Sequence, residues 1–136
     1  MSVAAFVDTN VLLYADDARS PAKQQRARML IEHLTDEGSG CVSMQVLQEY
    51  FNGATRKLRL SAAFARSRVE TYMRLQVVTL VPDDLLEAIN LHRRYQFAIW
   101  DALIVRAALI SNCDTLYSED LQNGQRIDGL TIVNPF

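Results

Sequence analysis

The residues Val3-Ala4-Ala5-Phe6-Val7 form an unbroken apolar run, and Asp8-Thr9-Asn10 follows at once. A short apolar run bounded by polar residues reads as a buried strand. A strand without polar alternation is covered on both faces, as in a parallel sheet. Open parallel sheets bind ligands beyond the carboxyl ends of their strands, so Asp8 stands at the mouth of such a site. Three further acids sit in comparably apolar settings: Glu49, Asp101 and Asp120.

Turn signals and periodicity divide the rest of the chain. A short helix is predicted over 11–15. Ser20-Pro21 opens a second, with a capping hydroxyl and a proline at the first helical position. Ala27, Leu30, Ile31 and Leu34 give it an apolar face, and Gly38 and Gly40 end it. Strands are predicted over 41–43, 77–81, 115–117 and 130–133. A helix carrying Val46, Leu47, Tyr50, Phe51 and Ala54 on one face follows the second strand. Ser61 opens another to about residue 75, Asp83 caps one running to about 95, and the last covers 97–110. Alternating strands and helices predict an α/β chain with a mostly parallel sheet of about five strands, covered on both faces. Right-handed crossovers align the strand C-termini along one edge, where Asp8 and Ser118-Glu119-Asp120 fall.

With 136 residues, 49% hydrophobic and 22% charged, the composition is that of one globular domain. No apolar run reaches the ~18 residues of a membrane span, and the N-terminus lacks the basic segment and cleavage site of a signal peptide. Cys41 and Cys113, far apart in apolar neighbourhoods, read as two buried thiols suited to a reducing cytosol. A cytoplasmic location without membrane contact is therefore expected. The net charge of −2 announces no nucleic-acid binder. Its distribution says more: no acid occurs from Tyr50 through Val69, where Arg56, Lys57, Arg59, Arg66 and Arg68 fall. That stretch is either a phosphate-contacting surface or a solvated helix face.

Each acid also has a plain structural reading. Asp8 fits a turn bonding its own backbone. Asp101 opens the nearly all-apolar stretch 98–110, which reads as a buried helix, and there it fits the free N–H groups and dipole of the first turn. Glu49 fits a solvated helix position, and Asp120 an acidic loop. Together they are harder to dismiss, because two like charges ~4 Å apart repel by about 4 kcal/mol at an effective dielectric near 20. A divalent cation removes that conflict. Oxygen ligands without nearby His or Cys suit Mg²⁺ or Mn²⁺ rather than Zn²⁺. His33 and His92 read as surface residues.

Phe6-Val7-Asp8-Thr9-Asn10-Val11, Leu47-Gln48-Glu49-Tyr50, Trp100-Asp101-Ala102-Leu103-Ile104 and Leu116-Tyr117-Ser118-Glu119-Asp120-Leu121 resemble, in order and spacing, the PIN-domain nucleases. The tail Gly129-Leu130-Thr131-Ile132-Val133-Asn134-Pro135-Phe136 is similar to that of many small bacterial members. The resemblance spans the whole chain, 1–136, as a single domain. It implies a three-layer α/β/α sandwich, Mg²⁺- or Mn²⁺-dependent cleavage of an RNA substrate, a homodimer, and, for stand-alone domains, a VapC-type toxin inhibited by a small antitoxin. By position, Asp8, Glu49, Asp101 and Asp120 match the family's catalytic, metal-binding quartet. Thr9, Asn10 and Ser118 match its polar supporting positions, and Glu119 stands beside them to share or replace the role of Asp120. Ala98 departs from the pattern, because many members carry a capping Ser or Thr there.

The implied chemistry is attack of a metal-activated water on the phosphodiester, leaving 5′-phosphate and 3′-hydroxyl ends. Two alternatives use the same fold: a module that binds RNA or protein without cutting, and a DNA-directed nuclease on the same acids. A phosphotransfer domain fits poorly, because there is no Asp-x-Asp at Asp8 and no lysine after Lys57.

Overall fold

The computed structural model describes residues 4–136. Its elements are β1 (Ala5–Val7), α1 (Thr9–Ala15), α2 (Pro21–Glu37), β2 (Gly40–Ser43), α3 (Met44–Arg56), α4 (Ala62–Tyr72), β3 (Gln76–Val78), α5 (Pro82–Tyr95), α6 (Ile99–Ile110), β4 (Thr115–Tyr117), β5 (Arg126–Ile127) and β6 (Leu130–Val133). Val3, the predicted start of the first strand, lies outside the described residues.

The sheet has six strands in the order β3-β2-β1-β4-β6-β5, all parallel except β5. The expected mostly parallel sheet of about five strands is present, with the two-residue β5 added at its edge. β5 pairs antiparallel with β6 through Ile127 and Leu130, and the loop is Asp128-Gly129, with φ 48° and 90°. Two central residues at positive φ make the tight hairpin whose twist matches that of its strands. A two-residue strand carries no periodicity, so only the Asp-Gly pair marked it.

The path explains where the site lies. From β1 the chain steps outward to β2 and β3, then crosses back to β4 on the other side of β1. Right-handed crossovers in opposite directions place α1–α4 on one face and α5–α6 on the other, giving the three-layer α/β/α sandwich. The reversal leaves a crevice between the carboxyl ends of β1 and β4, where α/β sheets accept ligands. Phe6, Val7, Val42, Leu116 and Ile132 are fully buried beneath it, and fix those strand ends to a rigid floor.

Local chemistry sets the helix starts. Ser43 Oγ accepts from Val46 N at 3.2 Å, and Ser61 Oγ from Phe64 N at 3.1 Å. In α5, Asp84 and not Asp83 satisfies the first turn, accepting from Val81 N at 2.9 Å. Pro82 at the first helical position shifts the start forward and puts Asp84 where a capping carboxylate reaches back. β3 is shorter than the predicted 77–81 strand for the same reason, since Val81 already serves as the N-cap. α6 is less enclosed than its composition predicts, for Trp100 is 64% exposed. Cys41 and Cys113 are buried free thiols. Among the described residues, no helix is long and apolar enough to cross a membrane.

Candidate active site

Val7 ends β1, and the next residue, Asp8, caps α1. Asp8 is buried, 3% exposed, and all its hydrogen-bond donors are neutral. Thr9 N donates to Oδ1 at 2.7 Å, Ser118 Oγ to Oδ2 at 2.7 Å, and Asn10 Nδ2 to Oδ2 at 3.2 Å. Burial pushes the Asp8 carboxyl up to about 6. The Ser118 and Thr9 hydrogen bonds oppose the rise, and the Asp101 and Asp120 charges add to it.

The other acids arrive from separate elements. Glu49, on α3, accepts from Thr9 Oγ1 at 2.7 Å and from Gln45 Nε2 at 3.3 Å. Asp120 follows β4 and accepts from Asn10 Nδ2 at 3.2 Å. Asp101 lies in the first turn of α6. Its carboxyl is raised by burial and by the charges of Asp120 and Glu49, and no hydrogen bond reaches it among the described residues. All four line one cleft of about 520 Å³ with Thr9, Asn10 and Glu119. Asn10 ties it together, since its Oδ1 also accepts from Glu119 N at 3.1 Å. Ser118 is buried at its base.

Three other aspartates are comparably buried, and each has an arginine. Asp16 meets Arg68 at 3.0 Å, Asp17 meets Arg19 at 2.9 Å, and Asp84 meets Arg106 at 2.9 Å. Among the described residues, Asp8 is the buried aspartate left without a cation. A buried carboxylate is normally paired or ligated, so this set of oxygens suits a hard divalent ion. Among the described residues, no three acidic, His or Cys side chains are grouped as a ready-made metal cage.

A family model for the PIN domain matches residues 5–128. The chain belongs to the PIN domain family. The fold of this PIN domain is shared with solved structures of low sequence identity. A chain of a toxin–antitoxin complex from Klebsiella pneumoniae superimposes with a TM-score of 0.73 at 18% identity, over 98% of each chain. A chain of DNA-bound VapBC from Salmonella typhimurium gives 0.70 at 19% identity, over 99% of this chain and 100% of that one. VapC20 of Mycobacterium tuberculosis, a sarcin–ricin loop cleaving toxin, gives 0.64 at 19% identity, over 86% and 90%. No curated protein matches the chain in sequence.

Other parts of this PIN domain bear on the site. Ala98 is the N-cap of α6 and supplies no side-chain hydrogen bond, so Asp101 is held without the usual capping hydroxyl. Of the five basic residues singled out in the sequence, Arg68 is committed to buried Asp16, and Arg66 pairs with Glu70. Arg56, Lys57 and Arg59 are exposed, and Lys57 lines the cleft. Sequence reasoning missed Gln45, whose amide bridges Glu49 and the Trp100 carbonyl at 3.0 Å. Its spacing, one turn before Glu49 on the same face, was the available signal. It also missed Lys23, which holds Glu119 Oε1 at 2.7 Å across 96 residues, a contact no local pattern announces.

Proposed function

We propose that this PIN domain is a divalent-metal-dependent endoribonuclease, the toxin of a toxin–antitoxin module. The observation that carries this reading is the buried Asp8 carboxylate, without a cation among the described residues, in a cleft it shares with Glu49, Asp101 and Asp120. Membership of a nuclease family supports the chemistry.

Asp8, Asp101 and Glu49 would hold a Mg²⁺ or Mn²⁺ ion, directly or through water, with Asp120 completing the site or supporting a second ion. When bound, the ion supplies Lewis acidity, lowering the pKa of water and offsetting charge on the phosphate. The chain's own residues set the stage for that chemistry. Ser118 and the Thr9 N–H keep Asp8 ionised against its burial. Thr9 Oγ1 and Gln45 fix the two oxygens of Glu49, and Asn10 spaces Asp120 from Asp8. The reaction is hydrolysis: water adds to phosphorus, the bond to the 3′ oxygen breaks, and 5′-phosphate and 3′-hydroxyl ends remain. Arg56, Lys57 and Arg59 are the exposed cations for RNA phosphates.

Solved toxin–antitoxin assemblies from Klebsiella pneumoniae, Rickettsia felis and Salmonella typhimurium share this fold, which supports a small antitoxin as partner. Exposed Trp100, Val81 and Leu86 offer apolar surface for a homodimer. The cytoplasm is the compartment this reading requires.

The test is cleavage of a structured RNA, with matched DNA beside it, in Mg²⁺ and in EDTA. RNA cleavage that EDTA abolishes, leaving 5′-phosphates, is the expected result. Undiminished cleavage in EDTA, cyclic-phosphate ends, or cutting of DNA alone would contradict it.

A further inference from the structure

The wall of the cleft is built from two helices running side by side in register. Thr9 of α1 bonds Glu49 of α3 at 2.7 Å. Four residues on in each helix, Leu13 packs on Gly53, where an added Cβ would lie 3.0 Å from the Leu13 side chain. Beyond that, the chain after α1 brings Arg19 to the cleft, and the end of α3 brings Lys57. At 1.5 Å rise per residue, Lys57 lies roughly 12 Å along the axis from Glu49. The cleft therefore holds its four grouped acids at one end, while Arg19 and Lys57 line it farther on, with Asp17 as the one carboxylate beside Arg19.

The two cations are differently held. Arg19 donates from Nε to Asp17 Oδ1 at 2.9 Å and from Nη2 to Oδ2 at 3.2 Å, which aims the guanidinium and leaves Nη1 open. Its side chain is 69% exposed. Lys57 is exposed and has no carboxylate partner among the described residues. A guanidinium fork held by a carboxylate and an exposed ammonium lining the same cleft are a combination suited to a phosphate.

We propose that Arg19 and Lys57 form a phosphate clamp at the far end of the α1–α3 wall, gripping the RNA backbone on one side of the bond to be cut. The proposal rests on the nuclease reading, and adds the direction in which the strand lies: along the wall, from the acids toward Lys57. Contacts of this kind are independent of sequence, so a single-stranded RNA of mixed sequence is an adequate probe.

The experiment measures binding of that labelled RNA to the Asp8→Asn chain in Mg²⁺ across a salt series. Adding Arg19→Gln and Lys57→Met together should weaken binding severalfold at low salt, and reduce the slope of log affinity against log salt by about 1.4, the value for two phosphate contacts on a single strand. Lys57→Arg should restore its share, which a merely structural role would not. Arg93→Ala, on α5 across the sheet, should leave the slope unchanged. RNA cleavage by the wild-type chain, with binding and slope unaltered in the double variant, overturns the clamp alone. Failure of the wild-type chain to cleave RNA in Mg²⁺ overturns the clamp together with the nuclease reading.

Discussion

Ser118 Oγ donates a 2.7 Å hydrogen bond to Oδ2 of Asp8, joining the ends of β4 and β1 across the point where the strand order reverses. The bond stabilises the ionised carboxylate, and so opposes the burial that raises it to about 6. Removing the hydroxyl in Ser118→Ala raises the Asp8 pKa further. If ionised Asp8 is needed for turnover, the acid limb of the kcat/KM profile moves to higher pH. A profile that falls at the same pH in both proteins contradicts this.

Asp8 also sets a stability signature in metal-free protein. Its carboxyl titrates higher in the folded chain, about 6, than its ordinary 3.8. The fold therefore carries no penalty from Asp8 below about pH 4, and loses stability as pH rises through 6. The loss is on the order of 3 kcal/mol by linkage. Urea unfolding in EDTA should show Asp8→Asn gaining on wild type between pH 4 and pH 8. An unchanged difference across that range would count against the buried-charge account.

Arg68 acts within the fold. Asp16 is 1% exposed in its side chain and is bound by Arg68, Tyr50 and Tyr72. Arg68→Ala leaves the buried carboxylate with two phenols and only the half-exposed Arg28 guanidinium, 4.0 Å from Oδ1, so it should destabilise by about 2 kcal/mol. A melting temperature equal to wild type would sink this assignment.

Thr9 orients Glu49 through one hydroxyl. Thr9→Val keeps the shape and removes the donor, and should lower metal affinity or turnover by about 10- to 100-fold. Asp101→Asn should cost more, with an unchanged circular dichroism spectrum. Full activity in either variant would remove that residue from the site.

Much of this was legible in the sequence because apolar strands and amphipathic helices dominate it. The run ending at Val7 placed Asp8 at a strand tip, and the alternation of elements brought Asp120 to the same edge. What stayed hidden depends on contacts between distant segments. Nothing local ties Lys23 to Glu119, or Arg68 to Asp16, so the basic stretch read as one surface although the fold divides it. The start of α5 shifted because Pro82 fixes the first helical residue, which makes Asp84 the reaching carboxylate. β5 owes its existence to the Asp128-Gly129 turn and its partner β6.

The central claim is that these acids share one divalent ion. Mn²⁺ titration followed by electron paramagnetic resonance tests it most directly, because free and bound Mn²⁺ give different signals. The account predicts one saturable class of bound Mn²⁺ in the wild-type chain, displaced by Mg²⁺ and lost in both Asp8→Asn and Asp101→Asn. No saturable binding, or binding that survives both substitutions, would contradict it.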